Sequence, residues 1–223
     1  MYYLSKIKGV KKFNEGVDMI IHIPDDIYQR IKDKEITNVE IRLDDGRHIS
    51  NEQRAKIFTT LKDIALYTGD VPEYLRSILT YNFCIEKGVN MFSLSDCSMD
   101  IAREFINFLI EFILFNDIPL SEIGINRTDD IDRYLYYCLK HRKCVITGKP
   151  ADIHHVTGSR VGMGHDRLKI DHRELELIAL NREWHNKVHT EGETAIFEAY
   201  KVYGIKGDEK LLDKLGLNYE DIT

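Results

Sequence analysis

Six of the nine histidines in this 223-residue chain fall between His154 and His189. Their spacing suits chemistry better than packing. The stretch opens with the dipeptide His154-His155 and closes, about thirty residues later, with His185-x-x-x-His189. On a helix, residues four apart share a face with their Cβ atoms about 5 to 6 Å apart, so both imidazoles of the second pair can reach one ion. A third ligand can come from the dipeptide. At a strand end its two side chains can splay, so that one binds metal while its neighbour faces a substrate. An imidazole with an ordinary pKa near 6.5 is about half available as a base close to neutral pH. Three nitrogen ligands suit Zn, Ni, Co or Mn better than Mg, although substrate phosphates can recruit Mg to such a site.

These residues need particular elements to hold them. The apolar run at residues 175–180 reads as a strand, and the His-x-x-x-His pair reads as the start of a helix that Gly192 ends. Arg160, Arg167, Lys169, Arg173, Arg182 and Lys187 surround the cluster and could hold a phosphate backbone.

The order His-His, strand, His-x-x-x-His resembles the HNH endonuclease motif in its three-histidine form, over residues 144–189. The resemblance implies a ββα-metal fold with His154, His185 and His189 as ligands and His155 as the general base for phosphodiester hydrolysis. The motif's central Asn falls by count on Glu176, which departs from the pattern, and His172 or Asn181 could serve in its place. Relatives with two Cys-x-x-Cys knuckles hold a structural zinc. Here those positions read Cys144-Val145-Ile146-Thr147 and Asn181-Arg182-Glu183-Trp184, so no structural zinc is expected beside the one divalent ion (Mg, Mn, Ni or Zn).

With 43% hydrophobic and 30% charged residues the chain reads as soluble and globular, long enough for a real core. It shows no apolar run of membrane-spanning length and no basic leader with an apolar core, which points to a cytoplasmic protein of a bacterial host. The four cysteines show no paired spacing and read as reduced thiols. The net charge of −6 argues against broad nucleic-acid binding, yet residues 140–189 carry ten Lys and Arg against six Asp and Glu. A basic patch on an acidic body can still bind DNA locally, in a strongly salt-dependent way.

The fold class expected is α+β in two domains, 1–130 and 131–223, joined by a linker at residues 118–132 that contains Pro119 and Gly124. In the first domain, strands are expected around Tyr2-Tyr3-Leu4, Met19 to Ile23 and residues 38–43, the last turning at Asp45-Gly46. A short helix follows Pro24. Ser50 should cap a helix running to about Tyr67, a second should cover residues 73–87, and a third should run from near Ser98 past Phe115. Residues 133–140, 195–203 and 209–215 read as further helices.

The segments Ser50-Asn51-Glu52-Gln53-Arg54 and Phe92-Ser93-Leu94-Ser95, each leading a helix, the second with Glu104-Phe105-Ile106, resemble the lambda Orf (NinB) family of phage recombination mediators over residues 38–118. That resemblance implies a homodimer that binds single-stranded DNA and cooperates with host single-strand binding protein to load a recombinase. Arg54, Lys56 and Arg76 are its candidate DNA contacts. Two functions therefore stand side by side, a phage recombination protein that cuts DNA and a mediator whose HNH module is silent. The choice of polymer is not written in these residues.

Overall fold

The computed structural model describes residues 7–14, 16–23, 25–33, 35–37, 46–157 and 171–217. The expected strands at Tyr2-Tyr3-Leu4 and residues 38–43 lie outside them, as do Arg160, Arg167 and Lys169. The chain begins with an antiparallel ribbon of β1 (Ile7–Phe13) and β2 (Gly16–Ile21), of which only the second was expected from the sequence. Three lysines among the seven residues of β1 break up its apolar pattern. Helix α1 (Asp25–Asp33) follows.

Three helices then form the larger part of the core. Helix α2 (Asn51–Thr68) starts at Ser50, whose hydroxyl accepts the Gln53 N–H while the Gln53 side chain accepts the Ser50 N–H, so two end donors are satisfied reciprocally. Gly69, at φ 79°, ends it in the left-handed conformation that glycine adopts without strain. Pro72 opens α3 (Pro72–Lys87), where its missing N–H costs nothing. Ser98 caps α4 (Met99–Phe115) through the Ile101 N–H. The rings of Phe83, Phe92, Phe105 and Phe108 meet edge-on or stacked, with centroids 5.3 to 6.1 Å apart, and lock α3 to α4.

The segment expected as a linker is firmly packed. It contains a 3-10 turn (Gly124–Arg127), and Arg127 is 2% exposed, 3.1 Å from Asp63 of α2 and 2.9 Å from the Ser121 hydroxyl. Gly124 lies against the ring of Tyr134, so close that a Cβ there would stand 2.5 Å from the phenol oxygen.

Helix α5 (Ile131–Lys140), capped by Asp130, leads into a tight turn at residues 144–148. An antiparallel sheet follows in the order β3 (Asp152–His155), β4 (Glu176–Leu180), β5 (Ile205–Lys206). Helices α6 (Arg182–Glu191) and α7 (Glu193–Tyr200) come between β4 and β5, and α8 (Glu209–Leu215) packs on α5. The buried apolar residues run as one cluster from Ile49 to Leu217, with α4 against α5 and α5 against β4. Among the described residues no helix is long and apolar enough to cross a membrane.

Candidate active site

Strands β3 and β4 fix the two histidines of the dipeptide. His154 pairs with Ile178 and His155 with Leu177, so the two imidazoles leave opposite faces of the ribbon. Behind them, β4 is buried from Leu177 to Leu180, and the Val145 N–H bonds the Ala179 carbonyl at 3.0 Å. Asn181 ends the strand and starts α6, its side-chain oxygen accepting the Trp184 N–H at 3.0 Å. Because α6 begins directly after β4, His185 and His189 on consecutive turns come over His154. The three rings form a nearly equilateral triangle with centroid separations of 4.8, 4.9 and 5.2 Å.

One ligand-capable nitrogen from each of these histidines lies within 4.8 Å of the other two. Around a tetrahedral zinc ion with bonds of about 2.0 Å the donors would stand about 3.3 Å apart, so small ring rotations suffice. The titration behaviour fits as well. Partial burial holds the pKa of His185 below the ordinary histidine value, and the positive potential of His154, His189 and Arg182 acts in the same direction. The neutral form that a ligand needs is thereby favoured. The residues present fit a divalent ion.

On the other face, His155 Nε2 lies 3.2 Å from Nδ1 of His172, which is 0% exposed and sits in the 3-10 turn His172–Glu174 before β4. Of the three candidates for the motif's central position, His172 is thus the one that reaches His155. Glu176 is one residue from Leu177, so its side chain leaves the sheet face opposite to that of His155, with Lys206 across from it in β5. Asn181 is engaged as a helix cap and donates to the Thr147 hydroxyl at 3.3 Å.

That last bond joins the two segments where knuckle thiols stand in the resembled motif. Cys144 is buried, its N–H bonded to the Lys149 carbonyl at 2.8 Å, and Thr147 meets Asn181 side chain to side chain. Packing and hydrogen bonds hold the hairpin to the helix.

The cationic residues divide. Arg182, 75% exposed, pairs with Asp152 at 3.2 Å, and Lys187 bonds Glu183 at 3.1 Å while lying 4.3 Å above the Trp184 ring. Arg173 forms a fork with Asp171, at 2.6 and 2.8 Å. Arg173 adjoins His172 and Arg182 lies near His185, whereas Lys187, two residues from both His185 and His189, stands on the far side of α6 over Trp184. The two candidates on α2 serve the fold. Lys56 is held by Asp129 at 2.6 Å, Glu52 at 2.9 Å and the Thr128 carbonyl, with 16% of its side chain exposed, and Arg54 donates to the carbonyls of Leu94 and Ser95.

One participant was not found from the sequence. Glu193, at the first position of α7, places Oε2 3.0 Å from His154 Nε2 and takes the Thr157 N–H at 2.8 and 3.1 Å. Burial alone would raise its pKa, but the bonds from His154 and Thr157 outweigh it and hold the carboxyl below its ordinary range. A glutamate four residues after the last histidine was the available signal.

Two antiparallel strands and a helix closing on three imidazoles that could hold a metal ion, with a fourth imidazole on the opposite face, make a ββα unit. The chain belongs to the HNHc nuclease family, whose model, described as "Putative HNHc nuclease", matches residues 23–218. No curated protein and no solved structure matches the chain. The matched range runs through the helical block as well as the ββα unit, so that block is part of the family's own extent. The Orf-like fusion expected from the short segments finds no support.

Proposed function

We propose that this protein is a metal-dependent endonuclease that hydrolyses DNA phosphodiesters, with His155 as the general base, His172 as its positioning partner, and His154, His185 and His189 as the metal ligands. The observation that carries the reading is the pair of arrangements on consecutive residues of β3: a three-imidazole triangle around His154 and a buried imidazole on His155. A site meant only to hold the fold together would have four closed ligands and no use for a backed histidine beside it.

The roles follow from the nitrogens. When His155 donates its Nε2–H to Nδ1 of His172, the lone pair of His155 sits on Nδ1 and can take a proton from water. The resulting imidazolium keeps the same bond, so the base does not turn as it works. His154, His185 and His189 would hold a divalent ion, which when bound would supply stabilisation of the negative charge that develops on the phosphate. Arg173 and Arg182 adjoin this centre and, with Lys187 further round α6, can hold the flanking phosphates, exchanging their present carboxylate partners for the backbone. Glu176, on the face away from His155, is assigned no step in this scheme.

The recombination role, with single-strand binding protein and recombinase as partners, rests on the Orf resemblance alone. The homodimer in that picture would draw on α3, where Tyr74, Ile78, Tyr81 and Ile85 stand exposed at spacings of four, three and four residues. Division into domains 1–130 and 131–223 is likewise a proposal, beside which stands the continuous buried cluster.

The test is cleavage of supercoiled plasmid and of circular single-stranded DNA with Mg, Mn, Ni or Zn added in turn, beside His155→Ala. Metal-dependent cutting that the variant lacks supports the enzyme. DNA shifted in a gel but never cut under any metal would move the reading to a binding protein with a silent site.

A further inference from the structure

His154 and His155 are neighbours on one strand, and each has Nε2 engaged by a side chain that arrives from another element. For His155 the partner is an imidazole; for His154 it is the Glu193 carboxylate, 3.0 Å away and 11% exposed. The carboxylate is itself pinned. Both its oxygens face the N–H of Thr157, two residues beyond His155, so it ties the end of β3 to the start of α7. Gly192 makes this possible: at φ 98° it turns the chain from α6 straight into α7, a conformation that a residue with a Cβ rarely adopts. The last ligand-bearing helix and the carboxylate are therefore joined through one glycine.

We infer that Glu193 is a positioning residue of the metal centre, its carboxylate holding His154 by Nε2–H so that Nδ1 carries the lone pair presented to the ion. This rests on the reading of His154, His185 and His189 as ligands. The physical reasons are two. A hydrogen-bonded carboxylate fixes the ring's tautomer and rotation, and it makes the imidazole a better electron donor. It also brings a negative charge beside a centre whose three ligands are neutral, which favours a cation without occupying a coordination position. The open positions that hydrolysis needs stay available for water and phosphate.

The experiment is titration of the metal-free protein with Zn²⁺ by calorimetry and with Co²⁺ by visible absorption, comparing wild type with Glu193→Gln and Glu193→Asp. Glutamine keeps an acceptor and loses the charge; aspartate keeps the charge but falls a methylene short, and serves as the second reading should the first variant fold poorly. The expected result is metal affinity lowered about 10-fold to 100-fold in both, with the Co²⁺ band positions and intensities unchanged at saturation. Affinity equal to wild type would overturn the inference and leave Glu193 as a bond to Thr157 only. A changed Co²⁺ spectrum would also overturn it, since it would make Glu193 a ligand. If wild type takes up neither metal, the ligand assignment beneath it fails instead.

Discussion

In the proposed mechanism His155 meets the water through Nδ1, its Nε2 lying 3.2 Å from Nδ1 of the buried His172. His155→Ala should lower cutting by about 10²-fold to 10⁴-fold, the usual contribution of a general base, while Zn²⁺ uptake stays at the wild-type level. Loss of metal in that variant would show that His155 is a ligand. His172→Asn should keep most of the activity, because the amide oxygen can accept the same N–H. His172→Ala should lose about 10-fold or more in kcat, as when other catalytic histidines lose the partner that orients them. Single-turnover rates compared with folding by circular dichroism check this, and an Ala variant that is folded and fully active would remove His172 from the mechanism. The placement of His154, His155, His185 and His189 was legible from residue types and spacing, since spacing of four on a helix and adjacency on a strand translate directly into geometry. For the partner of His155 the sequence left three candidates open, Glu176, His172 and Asn181. The count alone favours Glu176, which the alternation of side chains in β4 turns to the other face, whereas a short 3-10 turn brings His172, named beside it, to 3.2 Å from His155.

At the level of the element, everything depends on how β4 passes into α6. Asn181 serves both sides of that junction, capping α6 through Trp184 N–H and reaching Thr147 in the turn that backs the sheet. Asn181→Ala should cost about 1 to 2 kcal/mol of stability from the lost cap. It should also weaken metal binding, because His185 lies only four residues on and its N–H bonds the Asn181 carbonyl. Asn181→Asp keeps the cap but gives up the amide donor to Thr147. Thermal melts of the metal-free variants should place Asp between wild type and Ala; an Ala variant melting with wild type would mean that neither bond matters. The helices were legible because their ends carry the signals that set them: Ser50, Ser98 and Asp208 as caps, Gly69, Gly88 and Gly216 as stops. Strand β1 was not, since its lysines alternate poorly and its pairing with β2 supplies what its own pattern lacks. The packing of residues 118–132 was hidden for a different reason. Proline, glycine and a polar run resemble a tether until Arg127 is seen paired with Asp63 from α2, a contact across 64 residues of sequence.

Across the whole molecule, the helical block and the ββα unit are coupled by charge as well as by apolar packing. Glu111 of α4 is bonded by Lys140 and by His141, 3.4 Å away, at the end of α5, the helix that leads into the site. Burial by itself would raise the pKa of this carboxyl, but hydrogen bonds from His141 and Lys140 and their positive charges hold it down at about 2. The sign of the consequence is fixed by linkage. A carboxyl depressed in the folded state contributes stability that is fully present above its unfolded value of 4.5 and is lost as pH falls from there toward 2. The full depression of the pKa would correspond to about 3 kcal/mol, and solvent screening of this partly exposed carboxyl makes the contribution smaller. Glu111→Gln should therefore destabilise the protein at pH 7 and flatten the fall in stability between about pH 4.5 and pH 2, since glutamine has no proton to gain. Because the buried cluster is continuous from Ile49 to Leu217, the loss should appear in one cooperative transition, followed alike by tryptophan fluorescence from Trp184 in α6 and by far-ultraviolet circular dichroism dominated by α2 to α4. Coincident curves at pH 7 in wild type, shifted together in the variant, would make the helical block the structural support of the nuclease site. Two transitions, with only one moved by the substitution, would instead restore the division at residue 130 and make Glu111 a contact between separately folding halves.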